Sequence, residues 1–483
     1  MSDMSLFMHG IGLEAFDDSA DKVVLEQEVV DVSELVILDN EAATNEAAVT
    51  EQSKRVAVLT EARVFGESKR NELDEKVAVE LQRRVMEVVG DSRATLIVGS
   101  VESYNGSIGE SILNASLESI GGMIQTAIAT LVRLIRTGIS IFMRFITSAR
   151  IVLASTKSNL SKLREAIKKS KNWRTESIGI TGDDISKVKT KYEGNVFDTT
   201  LIQTDMTGGS SEVPVTLLQT PTTLSARHAM SLCFGESGGL RFPQPFVPAL
   251  KATVGEYESM VIGSTTGMRD YFRAVMSLIK DSADMKDDDE RFKASDALTL
   301  DKFLPISKMT MSRGGNEFSA TFVSKQMMGN VELSLHAPLG VVMQDYKRTD
   351  TMRVGHGIGS IDLSLATSDI HSSKASIRGI AIKPLTEQEA NQAAALVAGL
   401  LDEVTGSDLN DKAHLLGKES DELAARVLPR LSDTGNINNF KASMVQAMST
   451  LSSLTTNLPR NSVGYVNSLS NAVTAYIRIS AGV

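Results

Sequence analysis

Cysteine and aromatic side chains are scarce in this sequence, and each shortage excludes a class of function. Cys233 is the only cysteine in 483 residues, so no intramolecular disulfide framework and no multi-cysteine zinc or iron–sulfur centre can form. Within Met230-Ser231-Leu232-Cys233-Phe234 it reads as a small buried hydrophobe. Aromatics make up 5% of the chain and Trp173 is the only tryptophan, which argues against a site built from stacked rings. The N-terminus lacks the basic region and apolar run of a secretory signal, since Asp17, Asp18 and Asp21 come early; synthesis in the cytoplasm is expected.

What remains is ordinary globular material: 42% hydrophobic and 23% charged residues, enough chain for roughly two to four domains. The charge is segregated along it. Residues 1–118 carry 24 acidic and 10 basic side chains, or −14; residues 119–176 carry 11 basic and 2 acidic ones, or +9; the rest balances to −5. An acidic block beside a basic one implies neutralisation within the chain, or an acidic segment that holds a basic one away from its partner until removed. One domain with a polarised surface is the plainer alternative.

Four segments follow from the pattern, an α+β protein with a helical N-terminal region, a β-rich middle and an α-helical C-terminal module. Residues 1–118 form an acidic leader: most of 1–50 reads as weakly ordered, except Val29–Leu38, which could be a short strand or helix; apolar periodicity predicts a helix from Glu51 to Val89 with Gly90 as its stop, and serine- and glycine-rich residues 91–118 read as a linker. Residues 119–176 are basic. In Met123–Ala154, Arg133, Arg136, Arg144 and Arg150 share an arc of roughly 120°, and Ile124, Ile128, Leu131, Ile135, Ile139, Phe142, Phe145 and Ile146 lie opposite, which predicts a long basic amphipathic helix. The longest uncharged run of this stretch, Ser119–Val132, is shorter than the roughly 20 residues of a membrane span, and a central arginine is costly there. Basic character continues through Lys157, Lys162, Arg164, Lys168, Lys169, Lys171 and Arg174.

Residues 177–383 read as short strands, including Val213–Leu218, Phe318–Val323, Ile361–Leu365 and Ile377–Ile382, with a helix at Met268–Ile279 and a solvated acidic loop at Asp284–Glu290. Gly329-Asn330 is expected to turn a hairpin into Val331–Leu335, where Val331, Leu333 and Leu335 alternate. Residues 384–483 begin with a capping box, Thr386 with Glu389, before a helix over Ala390–Val404. Further helices are expected at Ser420–Leu431, Asn439–Leu454 and Val463–Ile477, with Gly435 and Pro459 as breaks.

No catalytic constellation emerges. Gly235-Glu236-Ser237-Gly238-Gly239 matches a nucleophile-elbow pattern, which makes a serine hydrolase through Ser237 one alternative. A helix should follow the serine at once, however, and Leu240-Arg241-Phe242-Pro243-Gln244-Pro245 forbids it. His356, His371 and His414 could each supply a base, but none has a distinctive context. Gly355-His356-Gly357-Ile358-Gly359 lacks the spacing of a phosphate loop, and Leu416-Gly417-Lys418-Glu419-Ser420 that of a nucleotide loop. The Asp284–Glu290 cluster lacks the glycine and final glutamate of a calcium loop. With His9, His228 and His336, the histidines show no metal-ligand spacing, so neither metal nor cofactor is expected.

Ser100-Val101-Glu102, Ile108-Gly109-Glu110 and Ser116-Leu117-Glu118 recur every eight residues, each followed by serine. Gly12-Leu13-Glu14 and Leu59-Thr60-Glu61 are similar. A small or aliphatic residue two before a glutamate resembles the signal read by the prohead proteases of large tailed bacteriophages. These tripeptides fall between the acidic and basic blocks. That layout, with the opening Met4-Ser5-Leu6-Phe7, resembles the internal head, or inner-body, virion proteins of giant myovirus-type bacteriophages. The resemblance covers residues 1–176. It implies a non-enzymatic structural protein inside the capsid, made in the host cytoplasm and freed of an acidic propeptide by cleavage after Glu102, Glu110 or Glu118. Its implied partners are the prohead protease, other virion proteins and DNA, the last bound without regard to sequence. Membrane activity of the 123–154 helix on an anionic surface during delivery is a further alternative, and a structural core helix with its arginines outward is another.

Overall fold

The computed structural model describes residues 33–68, 80–81, 83–85, 107–171, 173, 175, 178–180, 191–193, 196–204, 210–218, 245–281, 298–306, 310–314, 317–328, 331–339, 361–367, 380–405, 418 and 439–482. Two long helices open it, α1 (Ser33–Ser68) and α2 (Ser107–Lys169). They run antiparallel: Asn45 of α1 meets Leu134 of α2, and seven residues on, Gln52 meets Ala127. The apolar residues of α2 named above are buried, joined by Leu153, Leu160, Leu163 and Ile167. Its four arginines are exposed. The α1 side of this core is Leu35, Leu38, Val49, Val56, Leu59 and Ala62.

Both helices exceed their expected limits. Residues 33–50 are helical: of the strand and helix left open for the run ending at Leu38, the helix forms, and the stretch after it, read as weakly ordered, continues the helix because Val49 is buried and tertiary packing supplies most of a helix's stability. Residues 107–118, read as linker, are the first turns of α2; Leu117 and Ile120 are buried and continue the apolar face through the glycines and serines. Between these helices, residues 80–81 and 83–85 are helical, Leu81 and Val85 are buried, and the Arg84 guanidinium lies 4.6 Å from the centre of the Phe65 ring.

The middle holds two sheets. Strands β1 (Ile178–Ile180), β2 (Lys191–Glu193), β3 (Val196–Thr204) and β4 (Ser210–Leu218) combine with β9 (Ile380–Ile382) in the order β2-β3-β4-β1-β9. β1 is parallel to β4 and antiparallel to β9, and β3 pairs with β4 from Val196↔Leu218 to Thr204↔Ser210. The second sheet is an antiparallel meander of β5 (Thr310–Gly314), β6 (Glu317–Val323), β7 (Val331–Pro338) and β8 (Asp362–Thr367). Val331, Leu333, Leu335 and Ala337 turn one face of β7 inward. The expected hairpin is present: Val323 pairs with Ser334 and Met327 bridges to Val331.

Between the sheets in sequence, α3 (Phe246–Glu256) runs through one π-helical stretch, Tyr257–Ile262, into α4 (Gly263–Asp281). Gly267 of α4 lies against a 3₁₀ turn (Leu300–Lys302), where a Cβ would stand 2.0 Å from the Phe303 carbonyl oxygen.

The C-terminal module contains α5 (Glu387–Thr405) and α6 (Asn439–Ala481). The capping box forms as expected: the Thr386 N–H donates to Glu389 Oε2 at 2.9 Å, and the Glu389 N–H to Thr386 Oγ1 at 3.3 Å. Pro459 does not divide α6, contrary to the two helices expected. Burial from Ala447 to Ala481 holds the helix together, and the hydroxyls of Thr455, Thr456 and Ser462 donate to carbonyls around the proline. The segments at Ser420–Leu431, Asp284–Glu290 and Gly435 lie outside the described residues.

α6 is the post on which the rest leans. Tyr465 stacks on Tyr257 at 6.1 Å and donates to the Met328 carbonyl at 3.0 Å. Tyr476 meets Phe246 edge-on at 4.9 Å and donates to the Lys383 carbonyl at 2.5 Å. Thr156 of α2 donates to Asn467 at 3.2 Å, and Ser170 to the Ala481 carbonyl at 2.7 Å. Helices α1, α2, α5 and α6 therefore pack together, with α3, α4 and the second sheet against α6.

Candidate interaction face of the long basic helix

The uncommon feature of α2 is that its polar side carries almost one sign of charge. Arg133, Arg136, Arg144, Arg150, Lys162, Arg164, Lys168, Lys169 and Lys171 are exposed and Lys157 is partly buried; Arg174 lies outside the described residues. Three are neutralised within the chain: Arg144 pairs with Glu41 of α1, Lys157 with Asp402 of α5, and Lys168 with Glu165 at 2.7 Å. That last pair holds the Glu165 carboxyl below its ordinary value, chiefly through the hydrogen bond from Lys168. Arg133, Arg150, Arg164, Lys169 and Lys171 make no salt bridge among the described residues. As exposed cations along and just beyond α2 they are suited to phosphate oxygens or carboxylates.

The opposite flank of α2 is occupied by the acidic leader helix. Asn45 donates to the Leu134 carbonyl at 3.1 Å and Gln52 to the Ala127 carbonyl at 3.2 Å. Such bonds to a helix backbone require close approach, which Gly138 permits: a Cβ there would lie 2.6 Å from Asn45 Nδ2. At the other end, Gly66 accommodates Leu117, whose Cδ2 would sit 2.9 Å from an added Cβ.

A polar seam that the sequence reading did not identify joins α1 to α6. Arg460 Nε lies 2.8 Å from Asp39 Oδ1, with side chains 9% and 17% exposed. Burial raises the Asp39 carboxyl above its ordinary value, and the lowering by Arg460 only partly offsets this. Glu46 Oε1 accepts from Ser453 at 2.5 Å and from Asn457 at 2.6 Å, and the Ser449 hydroxyl donates to Ser53 at 3.2 Å. A small cavity of about 30 Å³ opens among Asn45, Glu46, Gly138, Phe142, Ser453 and Arg460, room for about one water. A signal existed: Asp39 and Glu46, like Asn45 and Gln52, are seven apart, and Ser449, Ser453, Asn457 and Arg460 recur at helical spacing.

Of the cleavage candidates, Glu118 is exposed within α2, Glu110 lies on its backbone in the first turns, and Glu102 is outside the described residues. Ser237 with its glycine-rich motif, the Gly355–Gly359 loop and Cys233 are outside them too, as are all the histidines but one. His336 stands on β7, its Nδ1 3.0 Å from Thr321 Oγ1. Lys418 is exposed, and the rest of its motif is not described. Among the described residues no three His, Cys, Asp or Glu side chains converge as metal ligands. α2 is also the one described helix long and apolar enough to cross a membrane by length and composition. Its apolar face is already covered by core residues, so a bilayer could receive it only after those partners left.

No curated protein matches the chain, and no solved structure does. Residues 27–205 match the family model of the phiKZ-like phage internal head proteins, a stretch that takes in α1, α2 and the strands β1 to β3. Over these residues the chain is similar to the phiKZ-like phage internal head proteins, structural components inside the phage capsid.

Proposed function

We propose that this virion protein is non-enzymatic, that its acidic leader is a propeptide removed after Glu118, or after Glu102 or Glu110, by a prohead protease, and that the mature chain uses the basic side of α2 against packaged DNA or other internal proteins. The observation that supports this most is the antiparallel seat of acidic α1 on basic α2, with Glu41 on Arg144. Loss of α1 would free that arginine beside Arg133, Arg150, Arg164, Lys169 and Lys171. A protease needs extended backbone, so cutting after Glu118 requires the first turns of α2 to unwind.

Mass spectrometry of the N-terminus of protein taken from mature virions tests the reading. A start at Ser119, Ser111 or Ser103 supports it; a start at Met1 or Ser2 refutes propeptide removal and leaves an uncleaved structural protein.

A further inference from the structure

The surface between α2 and α6 is shaped for an acidic helix. Its floor is apolar, with Ile135, Phe142 and Phe145 buried there. Its polar contacts point at carboxylates: Arg460 at Asp39, Ser453 and Asn457 at Glu46, and Arg144 at Glu41. Gly138 removes the side chain that would hold such a helix away. None of these contacts involves the chain between Ser68 and Ser107.

We infer that this groove is a helix-docking site whose occupant is α1, and that α1 stays seated as a separate, non-covalent chain after the polypeptide is cut ahead of Ser119, before the residues of α2 that line the groove. The consequence rests on the propeptide reading: scission and release of the acidic leader are two events. Leu35, Leu38, Val49, Val56, Leu59 and Ala62 stay buried in a cut protein as in an intact one, because none of that burial depends on the peptide bonds that are broken. Departure of α1 would uncover the apolar floor of Ile135, Phe142 and Phe145 to water.

The test uses the full chain with a specific protease site inserted after Gly90, cut at neutral pH and passed over a sizing column at low micromolar concentration. Co-elution of the two fragments is the expected result; prompt separation overturns the inference. Recognition through charge is tested on the exposed pair, which should not affect folding. Arg144→Glu is expected to speed fragment loss roughly two- to fivefold, and Glu41→Arg in the same chain to restore retention. Glu46→Ala is expected to speed it about tenfold, with circular dichroism of the uncut variant as the check on folding. Unchanged retention in both Arg144→Glu and Glu46→Ala would also overturn the docking site. Because the inserted site needs no prohead protease, an intact native N-terminus would refute propeptide removal and leave this result standing.

Discussion

Arg460 on the C-terminal helix and Asp39 on the acidic leader face each other at 2.8 Å in a largely buried seam, yet the Asp39 carboxyl is shifted upward. Desolvation outweighs the attraction, so the pair fixes how α1 docks rather than adding net stability. The native state then holds a proton on Asp39 more readily than the unfolded chain. This term favours folding in full below the unfolded value and is lost as pH rises through the folded one.

Arg460→Met removes the one influence that lowers Asp39. Urea unfolding at pH 7 is expected to show a loss of about 3 kcal/mol. The loss should shrink on acidification toward pH 4.5, where Asp39 can take up a proton. A loss that does not vary with pH would contradict the coupling.

The capping box acts with the opposite sign. Glu389 is held below its ordinary value, first by the Thr386 backbone N–H, so its contribution is present above the unfolded value and disappears as pH falls through the folded one. Thr386→Ala is expected to cost about 1 kcal/mol at pH 7. Glu389→Gln should flatten the stability profile below pH 5, measured by thermal unfolding.

Two glycines test close packing. A Cβ at Gly267 would stand 2.0 Å from the rigid Phe303 carbonyl oxygen, whereas one at Gly138 would meet the end of the flexible Asn45 side chain. Gly267→Ala is therefore expected to destabilise by about 3 kcal/mol. Gly138→Ala should lose the Asn45 bond but gain about 1 kcal/mol of helix propensity, leaving stability within about 1 kcal/mol.

If the basic edge of α2 binds phosphates, fluorescence anisotropy with duplex DNA should show affinity falling with salt. The logarithmic slope should be about −3 to −4.5, as for three to five contacts. Arg164→Gln or Lys169→Gln should each reduce that slope by about 1. Binding that ignores salt, or a slope unchanged in both variants, would point to other internal proteins as the partner.

Several elements could be read locally. The helical period of α2 separated Arg133, Arg136, Arg144 and Arg150 from the apolar residues that prove buried, and Thr386 with Glu389 marked the start of α5. Alternation in Val331, Leu333 and Leu335 marked β7. Each signal lies within a few residues of sequence and needs no partner to interpret.

The misread elements share one cause. The Glu41–Thr50 turns, the start of α2 up to Glu118 and the passage of α6 through Pro459 look weak in isolation; Val49, Leu117 and the residues flanking Pro459 are buried, and that burial depends on partners distant in sequence. Sequence by itself determined the acidic and basic blocks, the face α2 buries and the resemblance to phage internal head proteins. Only the tertiary structure decided that the acidic block is a helix seated on the basic one, and that its carboxylates face Arg460, Ser453 and Asn457. Hydrophobic and charge patterns fix which side of a helix turns inward; which helix covers it depends on close approach and on pairing buried polar groups across hundreds of residues.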